Sequence, residues 1–139
     1  MNIKYIVSYL GLIPFLFLTI DGYFLGLLDT NFIQNIAIIL TCIIFTFIGA
    51  YNWDFQKNNN LLELYGFLPS LLSMLILFFN TIGFNQNHLV IILIILLSTQ
   101  LLIDFIMSLK NFFPMRYYLN LRLPITLSLC FFLYFISIL

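Results

Sequence analysis

An all-α bundle of five membrane-spanning helices is the fold this sequence predicts, and three observations predict it. Of 139 residues, 63% are hydrophobic and only 7% are charged, too little charge to keep the surface of a soluble domain in water. The apolar residues come in blocks of roughly 20, the helix length that crosses a ~30 Å hydrocarbon core. The connections between blocks are short and punctuated by Asn, Gly and Pro, as turn chemistry requires. Formal net charge is zero, so neither nucleic acid nor an acidic partner is expected. The expected surroundings are the lipid bilayer, other membrane subunits or further copies of the chain.

The spans fall at about 5–28, 32–51, 61–79, 88–109 and 117–138, within a single transmembrane domain. Connections this brief make successive helices antiparallel neighbours. Lys4, Lys57, Lys110, Arg116 and Arg122 all belong to one side, whereas the opposite loops hold Asp29 and His88 and no Lys or Arg. The positive-inside rule then places the N-terminus in the cytoplasm and the C-terminus outside. Tyr5, Tyr9, Tyr51, Trp53, Tyr117 and Tyr118 collect at the same boundary and read as an interfacial aromatic belt. Lys4 followed by an apolar run resembles the start of a signal peptide. The run, however, outlasts the ~7–15 residues of such a segment and has no small-x-small cleavage site, so an uncleaved first helix is expected.

The first span carries Ser8, Gly11, Thr19, Gly22 and Gly26 close to one face. Gly22-x-x-x-Gly26 predicts a close helix crossing, within the chain or between copies, and Pro14 predicts a kink. Asp21 lies roughly 24 Å along this helix from Tyr5, near the outer headgroups, where a solvated carboxylate is expected. The second span sets Cys42, Thr46, Gly49 and Ala50 on a small-residue seam. It ends in Gly49-Ala-Tyr-Asn-Trp-Asp54, an interfacial corner with Gly49, Asn52 and Trp53 as its candidate residues. Asn60 with Glu63 three residues on resembles a capping box opening the third span, which has Gly66, Ser70 and Ser73 for packing and Pro69 for a kink.

The fourth span carries Gln100, Asp104 and Ser108 at spacing four, and the fifth carries Tyr118, Arg122, Thr126, Cys130 and Tyr134 at the same spacing. Polar stripes facing lipid are costly, so both are expected inside the bundle. Asp104 precedes Lys110 by six residues and Arg122 follows Arg116 by six, which puts both about 9 Å inside their helix ends. An acid and a base at matched depth on neighbouring helices predict an intramembrane ion pair, because either charge alone would cost roughly 2.5–3.5 kcal/mol. Three roles are open: a static tie between helices, a working pair in a transport pathway, and Arg122 snorkelling to the headgroups. Cys42 and Cys130 sit in apolar runs and read as small hydrophobes. With His88 as the lone histidine, one chain cannot build a multi-imidazole metal site. No cofactor and no catalytic residue is expected.

Leu10-Gly-Leu-Ile-Pro-Phe15, Phe47-Ile-Gly-Ala-Tyr-Asn-Trp53, Leu68-Pro-Ser70 and Tyr117-Tyr-Leu-Asn-Leu-Arg-Leu-Pro-Ile-Thr126 together resemble a family of small multi-pass membrane proteins. The family occurs in bacteria, and its animal member is called transmembrane protein 69. The resemblance covers nearly the whole chain, and its Tyr-x-x-Leu-Arg block is the most specific part. Where the family reads Gly-Gly-x-basic-Trp-Gly at the end of the second helix, this chain keeps Gly49 and Trp53 but has Ala50, Asn52 and Asp54. The basic residue is missing, which removes the basis for anion binding at that corner. The resemblance implies an energy-coupling inner membrane and no particular reaction. The first residues do not read as an Arg-rich leader, so the bacterial cytoplasmic membrane is expected rather than the mitochondrial inner membrane. On these grounds a structural or assembly component of a membrane complex is expected. The alternatives are a small transporter or channel subunit using Asp104 and Arg122, and a membrane enzyme or lipid-headgroup binder.

Overall fold

The computed structural model describes residues 3–50, 60–112 and 114–139. All regular structure among these residues is helical, and five helices are long and apolar enough to cross a membrane. They are α1 (Ile3–Leu25), α2 (Thr30–Ala50), α3 (Asn60–Ile82), α4 (Gln86–Leu109) and α5 (Met115–Ile138). α4 begins two residues before the sequence expectation because Asn85 caps it, its side chain accepting from the Asn87 N–H at 3.0 Å. α3 continues to Ile82, past the expected end at 79. Asn60 is already helical, so the residue preceding that helix lies outside the described residues.

The three helices α2, α4 and α5 pack against one another at the centre, with α3 lying mainly on α2 and α1 mainly on α5. The core is apolar in the ordinary helical register. Leu89, Leu93 and Leu97 from α4 meet Ile33, Ala37 and Ile38 from α2 and Leu129, Leu133 and Ile136 from α5, with Phe15 of α1 closing the side. Lipid is as apolar as these side chains, so in a bilayer close packing and internal hydrogen bonds hold such helices together rather than hydrophobic burial.

Backbone chemistry explains the shape of α1. Pro14 lacks the N–H that Leu10 would bond, and the helix breaks at Gly11–Leu12, where the Leu12 N–H donates to the Tyr9 carbonyl at 3.1 Å. The far end closes with a π-turn over Asp21–Leu25, and Gly26 takes a left-handed φ of 63° that its missing Cβ makes cheap. This turn folds the chain back over Asp21. The carboxylate accepts from the Leu28 N–H at 2.9 Å and from the Leu27 N–H at 3.3 Å, and it is 0% exposed. The expected solvated carboxylate is therefore corrected: two backbone donors replace water around Asp21 and let it be buried.

The glycine seam on α1 makes no close crossing within the chain. A Cβ at Gly26 would meet nothing, and one at Gly11 would meet only the Ser8 carbonyl of its own helix. Gly22 alone faces neighbours, the Leu139 and Ile33 side chains. The close crossing lies instead between α2 and α3, where Gly49 would place a Cβ 2.6 Å from the Gly66 carbonyl oxygen and 2.8 Å from Pro69 Cγ. Leu62, Gly66, Pro69, Ser73 and Ile76 form the buried face of α3, alternating four and three residues apart as a packed helix face does. Ser73 donates to the Cys42 carbonyl at 3.1 Å, tying the two helices. Ala50 is exposed and so leaves the seam assigned to it.

Candidate functional site: a buried polar cluster

Gln100, Asp104 and Ser108 turn through only about 80° along α4, and all three are buried. The stripe on α5 behaves differently. At 40° of drift per four residues an α-helix carries such a stripe off its face, and Tyr134 ends 57% exposed while Tyr118, Arg122 and Thr126 are buried. The expectation that the whole stripe faces the interior is thus corrected at Tyr134. The inner face beyond Thr126 is made by Leu129, Leu133 and Ile136.

Asp104 and Arg122 face each other. Arg122 Nη1 lies 3.8 Å from Asp104 Oδ2, with side-chain exposures of 8% and 2%. That separation is an ion pair but exceeds a hydrogen bond. The second oxygen, Asp104 Oδ1, accepts from the Tyr65 hydroxyl at 3.1 Å and is approached by Gln100 Nε2 at 3.4 Å. Gln100 Nε2 also donates to the Tyr65 hydroxyl, so hydroxyl, amide and carboxylate orient one another in a ring. Arg122 Nη2 donates to the Ile48 carbonyl at 3.2 Å, and its Cζ stands 5.7 Å from the centre of the Tyr117 ring. Ile48 lies in the last described turn of α2. Four helices thereby converge on one pair of charges: α2 through a carbonyl, α3 through Tyr65, α4 through Asp104 and α5 through Arg122.

The Gly49 crossing makes this convergence possible. It sits between Ile48 and the backbone of Gly66, next to Tyr65, so the close approach of α2 and α3 brings both partners over the charges. Tyr65 and the Ile48 carbonyl are the members that sequence reasoning missed. Tyr65 lies five residues into α3 and Asp104 five residues before the end of α4, and that equal depth was the available signal. A backbone carbonyl has no signal in side-chain patterns.

The other candidates are placed around this centre. Tyr118 is 5% exposed and donates to the Leu101 carbonyl at 3.3 Å, with its ring 5.5 Å from that of Phe105. It is therefore an interior residue and not part of an interfacial belt. Ser108 is buried but donates to Met115 Sδ at 3.4 Å, outside the cluster. Thr126 is buried one turn further along α5. Asn52 and Trp53 lie outside the described residues.

A second polar set closes the opposite end of the bundle. Gln34 Nε2 donates to Asn87 Oδ1 at 2.8 Å and to the Ile136 carbonyl at 3.3 Å, while the Tyr23 hydroxyl donates to the Phe135 carbonyl at 2.8 Å. Both carbonyls belong to the last turn of α5. These contacts bind α5 to α1, α2 and α4. Neither a protein-family model, nor a curated protein, nor a solved structure matches this chain.

Proposed function

We propose that this protein is a multi-pass scaffold of the bacterial cytoplasmic membrane, with its N-terminus in the cytoplasm, that presents a fixed helical surface to other membrane subunits. The observation that carries the reading is the mutual commitment of the polar atoms around Asp104 and Arg122. Asp104 is engaged by Tyr65, Gln100 and Arg122, and Arg122 in turn by Ile48. Each partner comes from a different helix, so the cluster specifies one arrangement of four helices. At 4 Å and an effective dielectric near 20 the attraction is about 4 kcal/mol, set against several kcal/mol of desolvation for each ion. Such a tie adds little net stability and much uniqueness, which suits a scaffold.

The second reading is a transport subunit, and its support is the same acid and base carried inside the apolar spans at a separation longer than a hydrogen bond. One set of variants separates the two readings. Asp104→Asn and Arg122→Gln should each lower stability by about 3–5 kcal/mol, because the surviving charge is left unpaired, and the double variant should recover part of the loss. Unfolding in detergent–lipid micelles measures the stability, and reconstituted vesicles measure solute and proton flux. Coupled stability losses with unchanged flux support the scaffold. Normal stability with altered flux overturns it in favour of transport.

A further inference from the structure

The turn that carries Arg122 is not an α-turn. Residues Tyr118–Arg122 form a π-turn closed by the Leu123 N–H donating to the Tyr118 carbonyl, and Pro124 follows at once. Proline has no N–H for the carbonyl four residues before it, here Asn120. The Asn120 carbonyl accepts from the Tyr9 hydroxyl of α1 at 2.7 Å. π-turns of this kind are rare, hold one residue more than an α-turn and concentrate at functional sites. Relaxing one to an α-turn swings the chain on one side of it by a single residue's rotation, about 100°. That rotation would carry Tyr118 off the Leu101 carbonyl and disturb the approach of Arg122 to Asp104.

The segment that supplies Tyr9 lies on the outside of the bundle. Ile3–Leu10 has no buried residue, and the break at Gly11–Leu12 separates it from the rest of α1. Among the described residues, the Tyr9 bond is the side-chain hydrogen bond that joins this segment to the rest of the bundle. The other hydroxyl tie between the same two helices, from Tyr23 to Phe135, lies beyond the break at the far end.

We propose that Tyr9 is a latch: its hydroxyl holds the π-turn of α5, so that displacement of segment 3–10 at the membrane surface releases Arg122 from register with Asp104. The inference rests on the reading of Asp104 and Arg122 as a structural tie and supplies the means of loosening it. The test is the Asp104→Asn/Arg122→Gln cycle, measured on the full chain in three backgrounds: unchanged, Tyr9→Phe and Tyr23→Phe. The coupling is expected to be present in the unchanged background, lost with Tyr9→Phe and retained with Tyr23→Phe. Equal coupling in all three overturns the latch and leaves the tie intact. Equal loss in both tyrosine variants also overturns the latch, because it reduces Tyr9 to general packing of α1. Absence of coupling in the unchanged background overturns the tie, and the latch with it. A second probe needs no destabilising change: 3-fluorotyrosine at position 9 is a stronger donor of similar size. It should slow amide exchange of Leu123 several-fold, and unchanged exchange there overturns the latch.

Discussion

Replacing Gly49 by alanine adds one methyl group at the crossing of α2 and α3, and its effect can be worked from the geometry. The new Cβ would lie 2.6 Å from the Gly66 carbonyl oxygen and 2.8 and 2.9 Å from two ring carbons of Pro69, whereas ordinary contact begins near 3.4 Å. The shortfall is about 0.8 Å. It is met by backbone and a closed ring, neither of which can rotate aside, so α2 and α3 must separate. Overpacking of this kind costs about 1–3 kcal/mol. Alanine returns up to about 1 kcal/mol through its better helix propensity, leaving a mid-range net loss of about 1 kcal/mol. Gly11→Ala is the comparison, since its Cβ meets only the Ser8 carbonyl at 3.2 Å, a shortfall of about 0.2 Å; it should cost less than Gly49→Ala. Unfolding of both variants in detergent–lipid micelles reads the difference. A Gly49→Ala protein as stable as the parent, or a Gly11→Ala protein equally damaged, would refute the assignment of the crossing.

Three further outcomes are expected. Tyr65→Phe removes a donor from a buried carboxylate and should cost about 1–3 kcal/mol in the same unfolding assay, with a smaller loss when Asp104 is already asparagine. Asp21→Asn keeps the size but leaves one acceptor oxygen for two backbone donors, so amide exchange of Leu27 or Leu28 should quicken and stability fall by about 1–2 kcal/mol. A reporter fused after Leu139 should be active only outside the membrane; cytoplasmic activity would refute the span count or the orientation.

Much of the fold was legible because a bilayer imposes one-dimensional rules. Spans must be apolar for roughly 20 residues and must satisfy their own backbone, so the blocks of this chain announce the five helices of the structure. Depth is likewise linear in residue number. For that reason Asp104 and Arg122 could be set at one level from spacing alone, and the structure places them 3.8 Å apart. Azimuth is less legible. A stripe at spacing four is inward only as long as the helix stays in phase, and Tyr134 shows where the drift wins. The π-turn at Tyr118–Arg122 changes the phase again, and no periodicity announces it.

By itself, then, the sequence determined the all-helical class and the approximate extent of five apolar spans, because hydropathy is a local quantity. Which faces meet was decided only in the tertiary structure. Gly22-x-x-x-Gly26 and Gly49 are equally plausible crossings on paper, yet Gly26 is spent on a left-handed turn and Gly49 meets Gly66 and Pro69. Asp21 is buried because a turn five residues later returns backbone donors to it. Tyr65, the Ile48 carbonyl and the Asn120 carbonyl become partners of distant residues for the same reason. A hydrogen bond in a membrane goes to whichever group the helix rotations bring within about 3 Å, and those rotations are set by all five helices packing at once.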